Sequence, residues 1–382
     1  MAESSRRVDA VDLARGLALI GMMFVHLGPR WVGESPPVGQ MIASGRAAPL
    51  FAMLAGVALS LVARRDPSGA GSLRATAIRA AILVVMGLGL GSLDNVPIYV
   101  ILAFYGLMIV LALPFRRLSV PTLIASGIAW ALVAPVLLLW LQVEHATVVS
   151  DQAEFSDVLP PWSLLTELVV WGAYPAGVWF AYVLVGLGIG RLDLARLRVA
   201  LAVLCGGMAL LGGSVVIALT AISRGTFDHW YVQGWQLLFV RGAYPYEPAT
   251  WHELWLMGEH TSRPLNVLGA IGSALVVIGL CALVTRLPWA RIVLLPLRAA
   301  GAMTLTLYTA HVIWSWRLTV DARASDAPFE PMGSYHDWLV QVVVLLLVAT
   351  LWLRFARRGP LESIVRLAST WRPLNERKNA PV

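Results

Sequence analysis

Asp12, Arg15 and His26 share one apolar run, RRVDAVDLARGLALIGMMFVH over residues 6–26, which is long enough to enter a bilayer. Ionisable side chains at membrane depth are costly, and they face a polar partner or serve a function rather than meet lipid. Arg15 and His26 are eleven residues apart, about three full turns, so a helix presents both on one face. At 1.5 Å per residue they are separated along the axis by roughly 16 Å. Asp12 precedes Arg15 by three residues, the spacing of an intrahelical ion pair that lowers the cost of burying either charge. A second stripe lies in GAMTLTLYTAHVIWS over 301–315, where Thr304, Tyr308, His311 and Ser315 are spaced by four, three and four residues. Such a stripe on an otherwise apolar helix faces protein or water. His311 is expected about 20 Å above Arg298, at a depth comparable to His26.

These residue types suit acyl transfer to a hydroxyl or amine. The acceptor's proton needs a base with a pKa near 7, which imidazole supplies. A cation or hydrogen-bond donors must meet the charge that develops on the acyl oxygen. A guanidinium at the inner end could hold the phosphate or pantetheine groups of a donor arriving from the cytosol. The same inventory suits a proton-coupled transporter, so residue types alone leave both open. Further polar groups stand where hydrocarbon is expected: Arg46 after Gly45 at the outer start of the second helix, and Tyr99 and Tyr105 on the fourth. Glu167, read as an external carboxylate in preference to a buried base, stands with Trp171, Tyr174 and Pro175 where a proline should break or kink the helix. Glu259 and His260 sit just outside the eighth helix and place a third imidazole on the outer side.

The elements that must position these groups follow from composition. The 382 residues are 58% hydrophobic and 13% charged, against about 25% charged in soluble domains, which makes this an all-α, polytopic membrane protein. Ten segments can be drawn, at 11–28, 46–63, 75–93, 97–113, 119–142, 168–190, 199–222, 265–285, 299–317 and 337–354. The first is read as a retained helix, because Asp12 and Arg15 interrupt a signal-like core and no small-x-small cleavage site follows. Arg6/Arg7, Arg64/Arg65/Arg74, Arg116/Arg117, Arg191/Arg196/Arg198, Arg286/Arg291/Arg298 and Arg354/Arg357/Arg358 then fall on one face, which the positive-inside rule makes cytoplasmic, with both termini inside. Glu144, Asp151, Glu154, Asp157, Asp321, Asp326 and Glu330 fall on the other. The net charge of +7 is explained by this topology and does not call for nucleic acid.

Residues 1–358 read as one transmembrane unit, including an outer loop at 223–264 rich in aromatics: Trp230, Tyr231, Trp235, Tyr244, Tyr246, Trp251 and Trp255. They form an interfacial belt, or a cap over an external substrate site. Residues 359–382 read as a cytoplasmic tail with an amphipathic stretch at 361–367 on the membrane surface, ending in a disordered-looking 375–382. The Gly-x-Gly-x-Gly patterns at 87–91 and 186–190 mark close helix packing rather than nucleotide loops. Cys205 and Cys281 read as packing residues, and no metal-ligand spacing is present.

Asp12-Leu-Ala-Arg15-Gly16 followed by His26 resembles the D-x-x-R-G opening and R-x10-H spacing of the transmembrane acyltransferase superfamily. That group includes acyltransferase-3 and heparan-α-glucosaminide N-acetyltransferase-like proteins. GRAAPLFAMLAG at 45–56, YPAGVWFAYVLVGLGIGRLDL at 174–194, LTLYTAH at 305–311 and Arg358-Gly-Pro-Leu-Glu362 resemble its bacterial YeiB-like branch, domain of unknown function 418. The resemblance spans nearly the whole chain. It implies an enzyme of the bacterial inner membrane that moves an acyl group from acetyl-CoA or another acyl-CoA, without a metal. The acceptor would be a sugar, glycan, lipid head group or secreted metabolite, and a homodimer is compatible with it. The superfamily's catalytic histidine carries over to His26 and its donor-associated arginine to Arg15, and many YeiB-like proteins lack the histidine. On this reading His26 is the base on the acceptor and Arg15 holds the donor. Arg46, Tyr308 and His311 surround the acyl centre, and Arg46, His260, Glu167 and Tyr174 line the acceptor side. The rivals are a transporter or flippase with a buried Arg/His path, and a non-catalytic membrane protein of the same fold.

Overall fold

The computed structural model describes residues 2–33, 35–65, 70–145, 152–225, 234–239, 250–324 and 333–370. Trp230, Tyr231, Tyr244, Tyr246, Asp151, Asp326, Glu330 and the tail beyond 370 lie outside the described residues. Within them the chain is helical, and the sole β interaction is an isolated bridge between Val32 and Ser35. The helices are α1 (Ala2–Leu27), α2 (Val38–Ala43), α3 (Ala47–Arg65), α4 (Ala70–Gly91) and α5 (Leu102–Ala112). There follow α6 (Val120–His145), α7 (Pro161–Thr166), α8 (Ala176–Ile189), α9 (Leu197–Ser223) and α10 (Pro264–Val284). The chain continues through α11 (Ala290–Val293), α12 (Leu295–Ala302), α13 (Thr304–Ala324), α14 (Tyr335–Phe355) and α15 (Pro360–Thr370).

Among the described residues seven stretches are long and apolar enough to cross a membrane: Asp9–Leu27, Val38–Ala63, Leu73–Gly91, Val120–Glu144, Leu197–Ser223, Pro264–Val284 and Tyr335–Phe355. The other three of the ten expected segments differ for physical reasons. Residues 168–190 contain a π-helical turn at Glu167–Trp171 and a break before α8, and the two arms, Pro161–Trp171 and Ala176–Ile189, meet at 62°. Pro175 supplies the break, having no N–H to continue the helix. The segment at 97–113 is helical only over the 11 residues of α5. The irregular residues before it, Ile98, Val100 and Ile101, are nonetheless buried. Side chains satisfy that backbone: Val100 N–H donates to Gln152 Oε1 at 2.9 Å and Ile101 N–H to the Tyr308 hydroxyl at 3.3 Å. Tyr99 accordingly precedes the helix, and only Tyr105 lies on it. The segment at 299–317 breaks at Met303 into α12 and α13, and the polar stripe on α13 keeps it below the hydropathy of a lipid-facing span.

α8 is the centre of the bundle. Every residue of it except Gly177 is buried, as a helix apolar all round requires. α3 packs so closely against α8 that a Cβ on Gly56 would overlap the Val183 carbonyl, and one on Gly186 the Met53 carbonyl. This is the close approach that small residues permit between membrane helices. α12 lies as closely on α1, with Gly301 against the Asp12 carbonyl and Gly16 against that of Leu297.

The basic residues tie one end of the bundle together. Arg298 pairs with Asp9, Arg191 donates to the Arg116 and Leu118 carbonyls, and Arg286 donates to that of Ala195. At the same end the Glu362 carboxylate on α15 accepts from Leu305 N–H at 2.7 Å and Thr306 N–H at 3.1 Å. It thereby caps the first turn of α13, whose N–H groups have no partner in their own helix. This gives the Arg358-Gly-Pro-Leu-Glu362 motif a structural purpose.

Candidate active site

α1 and α13 run in the same direction from that basic end. Asp9 on α1 pairs with Arg298 on α12 there, and His26 and His311 reach one depth. They touch: His26 Nδ1 lies 2.8 Å from His311 Nε2. The ring planes differ by 8° and the centroids are 5.1 Å apart. That separation exceeds the nitrogen–nitrogen distance by about the two ring radii, so the rings meet edge to edge in one plane rather than face to face. His311 is fully buried, whereas His26 is half-buried. Behind His311, its Nδ1 lies 2.5 Å from Gln341 Oε1, and Gln341 on α14 is also fully buried.

His26 forms part of the wall of a small, partly open cavity. Tyr174, Trp179, His260, Asn266 and Gly45 are also part of that wall. His260 and Ser262 adopt positive φ, 53° and 51°. A non-glycine residue held in that region costs about 1–3 kcal/mol and needs surroundings that enforce it. Those surroundings are present. Asn266 donates to the carbonyls of Met257 at 3.1 Å and Gly258 at 2.9 Å. Ser44 donates to Glu259, and Arg263 is paired with Glu253 and reaches Gln142 at 2.9 Å. The Tyr174 and Tyr99 rings lie 5.3 and 5.9 Å from the His260 ring. Gly45 (φ +65°) turns the chain beneath this loop where a Cβ would come within 3.1 Å of Glu259 Cα.

Tyr174 lines the cavity, and Tyr105 and Tyr308 lie near Tyr174 but outside the cavity wall. Tyr174 donates to the Tyr99 carbonyl at 3.2 Å and Tyr105 to that of Ala48 at 2.9 Å. Tyr308, one turn before His311, accepts the Ile101 N–H. Toward the basic end, Arg15 is half-buried and pairs with Asp12 at 3.3 Å, as the spacing predicts.

The structure thus brings His26, His311, His260 and Tyr174 together, with Tyr308 one turn inward and Arg15 at the far end of the same α1 face. Two expected site residues stand apart. Arg46 donates to the carbonyls of Met41 at 2.8 Å and Ser44 at 3.1 Å, with its guanidinium 5.2 Å from the Phe239 ring. It braces the turn that builds the cavity wall and is not itself among the wall residues. Glu167 is buried rather than external, in the π-helical turn, and does not line the cavity either. The described tryptophans of the outer loop, Trp235, Trp251 and Trp255, are exposed and away from the cavity wall. Cys205 and Cys281 are unbridged.

Sequence reasoning missed Gln341, although a lone amide within DWLVQVVVLLL was a visible signal of a polar partner at membrane depth. It also missed Arg79, five residues inside the apolar run of α4, which lies within electrostatic reach of Arg15 and Glu362.

Residues 7–217 match the family described as heparan-alpha-glucosaminide N-acetyltransferase, catalytic. Residues 236–372 match the family described as protein of unknown function (DUF418). No curated protein matches the chain. The first match covers more than half of the chain and contains Arg15, His26, Arg46, Glu167 and Tyr174, while the second contains His260, Tyr308, His311 and Gln341. With its apolar helices and its histidine-walled cavity, the chain belongs to the heparan-alpha-glucosaminide N-acetyltransferase catalytic family of multi-pass membrane proteins.

Proposed function

We propose that the protein is an acyltransferase of the bacterial inner membrane that moves an acetyl group from acetyl-CoA to a hydroxyl or amine of a sugar, glycan, lipid or secreted metabolite. The observation that carries this reading is the placement of His26, accessible on the cavity wall and backed by buried His311. The basic end faces the cytosol, the ten segments each pass the membrane, and both termini lie inside. Arg15, with Arg79 beside it, then meets a cytosolic donor and binds its phosphate or pantetheine groups. A long, flexible pantetheine arm suits the roughly 16 Å between Arg15 and His26.

In the transfer step the acceptor oxygen or nitrogen attacks the thioester carbonyl. Its proton passes to His26, the carbon–sulfur bond breaks, and the proton goes on to the departing thiolate. The products are the acylated acceptor and the free CoA thiol. The Tyr308 hydroxyl, between the histidines and Arg15, donates to the charge that develops on the acyl oxygen. His260 and Tyr174 hold the acceptor from the cavity wall, and Arg46 shapes that wall through its turn.

Reconstitution into proteoliposomes tests the reading against transport. Acetyl-CoA supplied on one side should lose its acetyl group, with free thiol appearing in step. Movement of a solute or lipid without thiol release would replace transfer by transport.

A further inference from the structure

The hydrogen bonds behind His26 have a direction. A carbonyl oxygen only accepts, so Gln341 Oε1 at 2.5 Å requires that His311 Nδ1 carry the hydrogen. A neutral imidazole has one N–H, which leaves His311 Nε2 as an acceptor. The contact of 2.8 Å to His26 Nδ1 is then donated by His26. Its own Nε2 is left with a free lone pair for the cavity that His26 lines. The edge-to-edge, coplanar approach of the two rings is what an in-plane nitrogen lone pair needs. The far side of the pair lies in a dry part of the bundle: His311 and Gln341 are each 0% exposed.

We propose that Gln341 is a positioning residue that, through His311, fixes His26 in its Nδ1–H tautomer and so leaves Nε2 as the proton acceptor. The proposal rests on the reading of His26 as the base. It gives α14, which has no residue on the cavity wall, a part in the chemistry. One amide orientation sets the protonation of two rings in series. The opposite orientation would reverse the chain, put a hydrogen on His26 Nε2 and disable it as a base. When His26 takes the acceptor's proton, the charge is shared with His311 along the Nδ1···Nε2 bond, and His311 Nδ1–H stays on Gln341. No proton leaves the pair until the thiolate takes it.

The test uses the full-length protein in lipid with ¹⁵N-labelled histidine, its resonances assigned with His26→Gln and His311→Gln variants. Both rings should show the Nδ1–H, bare-Nε2 pattern, and Gln341→Met should move His26 toward the Nε2–H form. A wild-type His26 in the Nε2–H form, or the same tautomers in Gln341→Met, overturns the proposal. These spectra decide the tautomer whether or not turnover is observed, and unchanged turnover in His26→Ala would remove the base reading separately. Turnover adds a second readout. Gln341→Glu keeps the acceptor and should stay within about threefold of wild type, whereas Gln341→Met should lose about tenfold or more in kcat at unchanged acceptor KM. A merely structural glutamine gives the reverse order, because apolar Met packs in its place while a buried carboxylate is costly.

Discussion

Two features define the residue scale: a guanidinium and an imidazole on one face of α1, and a second imidazole that meets the first from α13. His26 is the accessible member of the pair and His311 the buried one, so their substitutions should differ in kind. His26→Ala should lower kcat by about 10²–10⁴ while leaving donor binding intact, measured as single-turnover transfer beside equilibrium binding. Equal loss of binding would mean that His26 holds the donor. The pair was half legible in the sequence. Eleven-residue spacing placed Arg15 and His26 on one face, and counting from Arg298 placed His311 at the right depth. That the rings would touch was not legible, because rotation of α13 about its axis depends on its packing against α1, α12 and α14. Arg46 shows the opposite failure. Its position at a helix start suggested a site, but the side chain is used by the carbonyls of Met41 and Ser44 in the turn itself.

At the element scale, α13 must be held at a fixed height for His311 to reach His26. Glu362 does this from outside the helix by capping Leu305 and Thr306. Glu362→Ala should lower stability by about 1 kcal/mol, read as a lower unfolding temperature in detergent, and Glu362→Gln should recover part of it. No shift would mean that α12 alone holds the helix. The α3–α8 contact is stiffer still. Gly186→Val would place a side chain against the Met53 backbone and should cost about 1–3 kcal/mol or more, visible as poor folding or a lowered melting temperature. Apolar periodicity found the seven stretches that are long and apolar enough to cross a membrane among the described residues, and the glycine patterns signalled close packing. The broken elements were harder to read. The kink at Pro175 was visible as a proline, but the break at Met303 has no proline, only Gly301 two residues before it. Gly301 lets α12 approach the Asp12 backbone closely and Glu362 caps α13 from outside the helix, both of which the tertiary fold sets.

For the whole molecule, the arginines that link one end of the bundle and the cavity toward the other give the protein two chemically distinct ends. The basic end faces the cytosol on our reading, which labelling from either side can check. In a Cys205→Ala background, Ser369→Cys on α15 should react with an impermeant thiol reagent only from the cytosolic side. Asp157→Cys should react only from the other. Labelling of both from one side would contradict the arrangement. The overall class was plain from composition, and alternating loop charge gave the orientation we propose. The acceptor was not legible, because the cavity wall is assembled from α1, the turn at 44–46 and the loop around His260, which sequence distance separates. The most direct test of the central claim is binding and turnover of radiolabelled acetyl-CoA by the purified protein, beside Arg15→Ala and His26→Ala. We expect binding weakened roughly 10- to 100-fold by loss of Arg15, and transfer or hydrolysis abolished by loss of His26 with binding retained. Correctly folded protein that binds no acetyl-CoA, or that turns it over without His26, would contradict the account.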